Sequence, residues 1–442
     1  MSSTVFKGGV HPDYNKELTA TMAVKTMKPP EKVVIPLQQH IGAPCEPLES
    51  IVVDAEVKKG QKIAESSGFV SAPIHASISG KVTAIGPYNH PLGRPVESIT
   101  IESDGEDKWD ESIKPPGNPD NLTPGDIRKM VQETGIVGLG GATFPAHVKL
   151  SPPEDKKIDI VVINGAECEP YLTADHRVML EKPEEIVFGL KMMIKALGAE
   201  KGIIGIEDNK ADAIKVMEQA VSEEDNITVS PLHTKYPQGA EKMLIQVTTG
   251  RIVPSGGLPL EVGVVNHNVG TAVAITDAVR EGKPLIERVV TVTGSGINRP
   301  ANLLVRVGTP VSEVVESCGG LKENTLKLVI GGPMMGIAQP NPEIPVIKGT
   351  SGILALTDED VYLAESSPCI RCAKCVDSCP VQLMPTSIAQ ASEHGLYKRA
   401  EKLHAMDCFE CGCCSYVCPS KIPLVQWIRI GKAEITKAKK KQ

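Results

Sequence analysis

Two stretches near the C-terminus decide the fold of the last domain: CIRCAKCVDSCP at residues 369–380 and CFECGCCSYVCP at residues 408–419. Both contain the spacing CxxCxxCxxxCP, and each cysteine of this pattern in the second stretch lies 39 residues after its counterpart in the first. The spacing is typical of [4Fe-4S] loops, because two intervening residues let a tight loop direct neighbouring thiolates towards one cubane. The two stretches therefore predict an internal repeat that binds two clusters.

In paired loops of this kind, the fourth cysteine of each run binds the cluster of the other run. The predicted ligands are therefore Cys369, Cys372, Cys375 and Cys418 for one cluster, and Cys408, Cys411, Cys414 and Cys379 for the other. Cys413 adjoins Cys414 and is an alternative ligand, but the repeat spacing favours Cys414. Structural zinc competes as an interpretation, although a zinc site explains neither the third cysteine of each run nor the proline that follows it.

The composition is that of an ordinary globular chain. With 442 residues, 41% hydrophobic residues and a net charge of -7, the chain is long enough for several domains. No apolar run approaches the roughly 20 residues that a membrane-spanning helix needs. Only 3% of the residues are aromatic and no basic stripe accompanies them, so the sequence does not favour binding to nucleic acid. Four lysines crowd residues 437–441, which predicts a solvated basic tail or a contact with an acidic partner.

Upstream of the cysteines, the chain divides into segments of different pattern. Short β-rich stretches over residues 31–104, among them Ile51-Val52-Val53, predict a small β-barrel that resembles biotinyl and lipoyl carrier domains. The turn at residues 65–70 contains no acceptor lysine, so we expect a structural or docking module. The predicted divisions are an N-terminal extension (1–30), the barrel (31–104), a Pro/Gly-rich linker (105–124), an α/β domain (125–284), a β-grasp domain (285–348) and the double-cluster domain with its basic tail (349–442).

A glycine-rich loop, GLGGATFP at residues 138–145, opens the α/β segment. It is not a Rossmann fingerprint, because a helix precedes it and its glycines have a different spacing. Small residues followed by Lys149 could nevertheless approach and neutralise a phosphate. The buried-strand pattern at residues 158–163 then ends in the polar turn NGAECEP, and strands and helices alternate up to residue 248. This alternation predicts an open parallel sheet with a ligand at the carboxyl ends of its strands.

The glycine-rich loop, the NGAECEP turn, YPQGAEKML (236–244) and VVNHNVGT (264–271) together resemble the FMN- and NADH-binding subunit of respiratory complex I. The resemblance implies that Gly138, Gly140, Gly141 and Lys149 hold the flavin phosphate or the dinucleotide. It further implies that Asn164, Tyr236, Glu241, Asn266 and Asn268 line the flavin pocket, and that Glu169 and Glu167 are the candidate catalytic residues beside flavin and nicotinamide.

The order of the segments along nearly the whole chain is closer to another family. The opening FKGGVHP (6–12), the barrel, the flavin region, a β-rich unit and two cluster loops resemble the RnfC protein of the Rnf complex, an ion-pumping ferredoxin:NAD oxidoreductase. This resemblance implies the cofactors FMN, NAD(H) and two [4Fe-4S] clusters. It also implies partner subunits of a membrane complex, indirect exchange with ferredoxin, and a peripheral place on the cytoplasmic face of the cell membrane. We expect no membrane span in this chain itself.

Three other functions are compatible with the residues. The first is a flavin and iron–sulfur cobalamin reductase, although the opening segment and the position of the barrel argue against it. The second is an electron-transfer adaptor that carries clusters but no flavin. The third is a docking scaffold whose clusters are structural. Met334 and Met335 are expected to pack in a core or turn rather than to contact a cofactor.

Overall fold

The computed structural model describes residues 5–361 and 365–440. The N-terminal extension lies across the other domains and contributes strand β1 (Lys25–Thr26), which pairs in parallel with Leu303 and Leu304 of a later sheet. Phe6 and Thr19 of this extension are buried. The predicted extension is therefore part of the packed structure.

The barrel contains seven strands in two antiparallel sheets, ordered β2-β8-β7-β4 and β3-β5-β6. Their bounds are β2 (Lys32–Pro36), β3 (Cys45–Pro47), β4 (Glu56–Val57), β5 (Lys62–Ser66), β6 (Ile74–His75), β7 (Gly80–Asn89) and β8 (Pro95–Ser103). Side chains of alternate residues such as Ile99 and Ile101 point into the core between the sheets, as the period of two requires. The segment 51–53 forms a turn instead of the expected strand, with Val52 and Val53 exposed.

The linker at residues 105–124 packs against the barrel for part of its length. Lys59 forms a parallel β-bridge with Trp109 through its main chain and an ion pair with Asp107 through its side chain. Asp107 also lies 3.4 Å from Arg306 of the β-grasp domain. These contacts join the barrel, the linker and a later domain.

The α/β domain is an open sheet of four parallel strands, ordered β11-β10-β9-β12, with helices on both faces. Its elements are α1 (Pro124–Glu133), α2 (Ala146–Lys149), β9 (Ile160–Asn164), α3 (Ala174–Glu181), α4 (Pro183–Leu197), β10 (Lys201–Glu207), α5 (Ala211–Ala220), β11 (Ile227–Leu232), α6 (Glu241–Thr249), β12 (Val264–Asn268) and α7 (Val269–Glu281). The close approach of α4 to α7 requires Gly189, because a Cβ there would lie 2.1 Å from the Ala272 carbonyl oxygen. The expected parallel sheet is confirmed.

The β-grasp domain is a mixed six-stranded sheet of order β1-β14-β13-β17-β15-β16 with one helix. Its elements are β13 (Glu287–Thr293), β14 (Ala301–Arg306), α8 (Val311–Ser317), β15 (Thr325–Ile330), β16 (Ile337–Gln339) and β17 (Gly352–Thr357). Strand β17 lies between β13 and β15 and extends the sheet beyond the predicted boundary at residue 348. All six residues of β17 are buried, because the strand lies in the middle of the sheet.

The last domain is helical, with α9 (Lys374–Asp377), α10 (Pro385–Glu393), α11 (Tyr397–Lys402), α12 (Cys413–Tyr416) and α13 (Leu424–Lys439). Ile388 and Ile428 belong to the core formed by α10 and α13. The expected solvated tail is largely helical, since α13 extends to Lys439, which pairs with Glu401 at 2.7 Å. Lysines at the end of a helix also interact favourably with its dipole. Among the described residues, no helix is long and apolar enough to span a membrane.

Candidate functional site

The two cysteine runs share the positions of their positive φ angles. Residues with a positive φ occur at three equivalent positions in each run: Arg371 and Glu410, Ala373 and Gly412, Gln382 and Lys421. In the first pair, the backbone N–H lies 3.4 Å from the Sγ of the first cysteine of its run, Cys369 or Cys408. Backbone N–H groups directed at sulfur are typical of iron–sulfur loops, because they stabilise the charge on a thiolate ligand.

The fold places the fourth cysteine of each run beside the other run. Burial raises the pKa of the Cys375 thiol, and the nearby Cys418 and Cys369 raise it further. Burial likewise raises the pKa of Cys414 to about 12, with contributions from Cys411, Cys408 and Cys379. Crowded thiols of this kind lose their protons when they bind iron. This grouping supports the predicted exchange of ligands between the runs.

The second group of cysteines surrounds a cavity. Cys379, Cys408, Cys411 and Cys414 line it together with apolar side chains such as Val425. Within residues 5–361 and 365–440, no three His, Cys, Asp or Glu side chains converge as ligands of a single metal ion. A cubane differs from a single ion in that its ligands bind separate corners. The sulfur-lined cavity therefore fits a cluster by the chemistry of its donors.

Cys413 also lines this cavity, and its thiol lies within hydrogen-bonding reach of the Cys411 thiol. Its Sγ lies 4.0 Å from the carbonyl oxygen of Tyr236 in the α/β domain, and the residue is buried. Cys414 lies near Cys411, Cys408 and Cys379 and packs with Cys418 in the core of the helical domain. Cys414 therefore adjoins the three other predicted ligands of its cluster, and its choice over Cys413 stays a prediction from the repeat spacing.

The predicted flavin residues meet at the carboxyl edge of the parallel sheet. Asn164 ends β9, Asn268 ends β12, and the two are paired in register across the strands. The glycine-rich loop lies beside them, since a Cβ placed on Gly140 would be 3.5 Å from the Cβ of Asn268. Gly141 has a φ of +102°, and no atom of the described residues lies within 4 Å of a Cβ placed there. This exposed backbone leaves space for an anionic group at the edge of the sheet.

The ammonium group of Lys149 has two partners within the protein. Its Nζ lies 2.5 Å from a carboxylate oxygen of Glu241 and donates to the carbonyl of Asn266 at 3.0 Å. A phosphate at this position would therefore share the ammonium group with Glu241. Gly138 donates its N–H to Phe144 O and fixes the base of the loop. The structure thus places four predicted residues around one edge of the sheet: Gly138, Lys149, Glu241 and Asn266.

The two predicted catalytic carboxylates have different surroundings. Glu167 accepts hydrogen bonds from the N–H groups of Asp175 and His176, at the start of α3. Glu169 accepts from the N–H groups of Met334 and Met335, at 3.1 and 2.8 Å. Glu167 therefore has a helix-capping contact that the sequence did not predict, whereas Glu169 joins the α/β domain to a turn of the β-grasp domain.

Tyr236 connects this edge of the sheet to the helical domain. It is fully buried, and its hydroxyl group donates to the carbonyl oxygen of Cys411 at 2.7 Å. The same hydroxyl lies 3.5 Å from Glu169 Oε1. Burial raises the pKa of Glu169 to about 7, although the N–H groups of Met334 and Met335 oppose this effect. One side chain therefore links the acidic turn directly to a predicted cluster ligand.

Several residues of the site were not found from the sequence. Asp175 accepts a hydrogen bond from Asn268 Nδ2 at 2.6 Å, and Thr271 Oγ1 accepts from the N–H of Leu139 in the glycine-rich loop. Gln238 is buried, and neither polar atom of its amide has a hydrogen-bond partner among the described residues. Gln238 and Thr271 carried a signal, because they lie within the YPQGAEKML and VVNHNVGT segments, whereas Asp175 lies outside both.

The domains match known families in the observed order. The RnfC Barrel sandwich hybrid domain matches residues 4–106, the Nuo51 FMN-binding domain residues 131–277, the SLBB domain residues 289–338 and the 4Fe-4S dicluster domain residues 368–422. Among solved structures, an NAD+-reducing [NiFe]-hydrogenase in the air-oxidized state covers 64% of this chain and 54% of its own, with 18% identity and a TM-score of 0.48.

Relatives align over almost the full chain. The RnfC protein of the Na(+)-translocating ferredoxin:NAD(+) oxidoreductase complex of Acetobacterium woodii is 51% identical over 99% of this chain and 98% of its own. Its counterpart in the proton-translocating complex of Clostridium ljungdahlii is 51% identical over 97% and 93%, and that in the ion-translocating oxidoreductase complex of Rhodobacter capsulatus is 46% identical over 99% and 84%. With these identities and coverages, the chain belongs to the RnfC family of the ion-translocating Rnf oxidoreductase complexes.

Proposed function

We propose that this chain exchanges hydride with NAD(H) through FMN and single electrons through two [4Fe-4S] clusters. The observation that carries the proposal is the hydrogen bond from Tyr236 to the Cys411 carbonyl, which joins the predicted flavin edge to the second cysteine group. The FMN-binding and dicluster domain matches supply the two kinds of redox centre. Flavin, when bound, accepts two electrons as a hydride and releases them one at a time, which clusters require.

The residues at the carboxyl edge of the sheet fit an FMN group. The exposed backbone of Gly140 and Gly141, together with Lys149, would hold its phosphate. Asn164 and Asn268 would line the pocket, and the unpartnered amide of Gln238 could satisfy polar atoms of the ring. The tasks of these side chains are to bind the cofactor and fix its orientation.

Glu169 would position the nicotinamide beside the flavin. Its carboxylate is fixed by two N–H groups of the β-grasp turn and by the nearby Tyr236 hydroxyl. These hydrogen bonds hold the Glu169 carboxylate in one orientation. We assign Glu167 the supporting task of fixing the start of α3.

The second cysteine group would receive electrons first. Cys411 contacts Tyr236 of the α/β domain, and Cys379 lies beside Gly8 of the N-terminal extension, so this group packs against both segments. Cys369 and Cys372 of the first group are exposed. The first cysteine group would therefore face other subunits, and indirectly ferredoxin, in a complex at the cytoplasmic face of the membrane. The named relatives are subunits of such oxidoreductase complexes.

The test is an anaerobic absorbance and EPR titration of the purified protein, reconstituted with iron, sulfide and FMN. We expect NADH to bleach the flavin band and then to reduce the clusters. Protein reconstituted without FMN is the control, and its clusters should stay oxidised. A C408S variant should still show flavin reduction but lack the EPR signal of the second cluster. If both clusters are present and NADH changes neither signal even with FMN supplied, the proposal is wrong and an electron-transfer adaptor explains the chain better.

A further inference from the structure

The acidic turn that carries Glu169 has an unfavourable backbone. Within residues 164–172, Glu167 has a φ of 45° and Tyr171 a φ of 68°, both in the left-handed region that side chains rarely adopt. Such a residue is strained and persists only where the surroundings hold it. Other groups must therefore maintain the shape of this turn.

Two lysines bind the main chain of the turn that contains Glu169. Lys16 of the N-terminal extension donates from its Nζ to the carbonyl oxygens of Glu167 and Glu169, both at 2.9 Å, and of Leu172. Lys210 is buried and donates to the carbonyl of Ala166 at 2.6 Å. Four carbonyl groups of one turn are thus held by two ammonium groups.

The partners of Lys16 are main-chain oxygens rather than carboxylates. The Glu169 carboxylate is bound on another side, by the N–H groups of Met334 and Met335. An ammonium group has three donors, and all three of those on Lys16 are used on the turn. This arrangement fixes the orientation of the peptide groups and therefore the position of the Glu169 Cα atom, from which the side chain extends.

Lys16 also lies outside the FMN-binding domain match, which begins at residue 131, and inside the barrel-domain match over residues 4–106. The N-terminal extension therefore reaches the redox site from another part of the chain. It is secured on both sides of Lys16, by pairing of Val10 with Tyr236 and by a hydrogen bond between Thr19 and Thr173.

We propose that Lys16, assisted by Lys210, is a positioning residue that holds the acidic turn in the shape needed for hydride exchange with NAD(H). This inference rests on the proposed function of the site. Lys16 acts through the main chain of the turn, where it makes its three hydrogen bonds.

The test compares three variants of the reconstituted holoprotein. Lys16→Met removes the ammonium group, and Lys16→Arg keeps the charge but has a planar donor group that cannot reach three converging carbonyls. Lys28→Met replaces an exposed lysine of the same extension and is the matched control. For each variant, FMN and iron content, cluster EPR signals, and kcat and KM for NADH with ferricyanide are measured.

We expect both Lys16 variants to retain their clusters and to lose kcat/KM for NADH by about 10- to 100-fold, as small misplacements of a reacting group do. Lys28→Met should match the wild type. Unchanged kcat and KM in a folded Lys16 variant would overturn the proposal, and failure of both Lys16 variants to fold would make Lys16 a folding residue and overturn it too. If the wild type itself does not oxidise NADH, the proposed function fails instead.

Discussion

Replacing Tyr236 with phenylalanine should weaken the contact between the α/β domain and the helical domain. The hydroxyl group is buried and donates to the Cys411 carbonyl at 2.7 Å. Its removal costs a net hydrogen bond, about 0.5–1.5 kcal/mol, and leaves a buried carbonyl without its donor, about 1–3 kcal/mol in the less favourable case. We therefore expect Tyr236→Phe to lower the free energy of unfolding by about 1–3 kcal/mol. With domains of this size, the apparent Tm should fall by about 2–4 °C per kcal/mol.

The matched control is Tyr14→Phe. The Tyr14 hydroxyl group is also buried, but it has no hydrogen-bond partner among the described residues. Its removal should be neutral or slightly stabilising, because an unpaired polar group is costly to bury. The assay is anaerobic differential scanning calorimetry of both variants with clusters loaded. Equal losses in the two variants, or no loss in Tyr236→Phe, would refute the reasoning from the hydrogen bond.

Three further predictions concern the clusters, the stability and the flavin. Cys379→Ser should remove the EPR signal of the second cluster and Cys418→Ser that of the first, whereas Cys413→Ser should keep both; loss of the first cluster in Cys379→Ser would contradict the exchange of ligands. Burial, and then the charge of a neighbouring carboxylate, raises the pKa of Asp175 from 3.8 to about 7, so its stabilising contribution is present at low pH and is lost as pH rises through 7. The stability advantage of the wild type over Asp175→Asn should therefore shrink between pH 5.5 and 8 in anaerobic thermal melts; a constant difference would contradict this pKa. Lys149→Met should weaken FMN binding by about tenfold, as loss of a charged hydrogen bond does, measured by quenching of flavin fluorescence; unchanged affinity would place the phosphate elsewhere.

The regular elements of the α/β domain could be predicted closely from the sequence. The pattern at residues 158–163 became β9, and the expected alternation up to residue 248 became α3 to α6 with β10 and β11 between them. Local signals suffice there, because apolar period and flanking glycine or proline act over a few residues. The prediction of a strand at residues 51–53 was wrong because this signal is also only local. Three apolar residues in a row resemble a strand, but no strand of the described residues pairs with them.

The site could be predicted only in part. The cysteine repeat and the glycine-rich loop are local motifs, so the sequence alone singles out their residues as candidates. The role of Lys16 depends on contacts with residues more than 150 positions away, and the sequence around it has no matching signal. The partners of Glu169 come from the β-grasp turn 165 positions later. Such contacts follow from how the domains pack.

The position of the N-terminal extension has a consequence for synthesis of the chain. Gly9 donates its N–H to the carbonyl oxygen of Ser378, and 369 positions separate the two. At roughly 5–20 residues per second, a ribosome needs about 20–75 s to make the segment between them. During that time the extension can pair only with segments made earlier, such as those of Thr173 and Tyr236 in the α/β domain. Its contact with the cysteine loop is therefore among the last tertiary contacts that the growing chain can make.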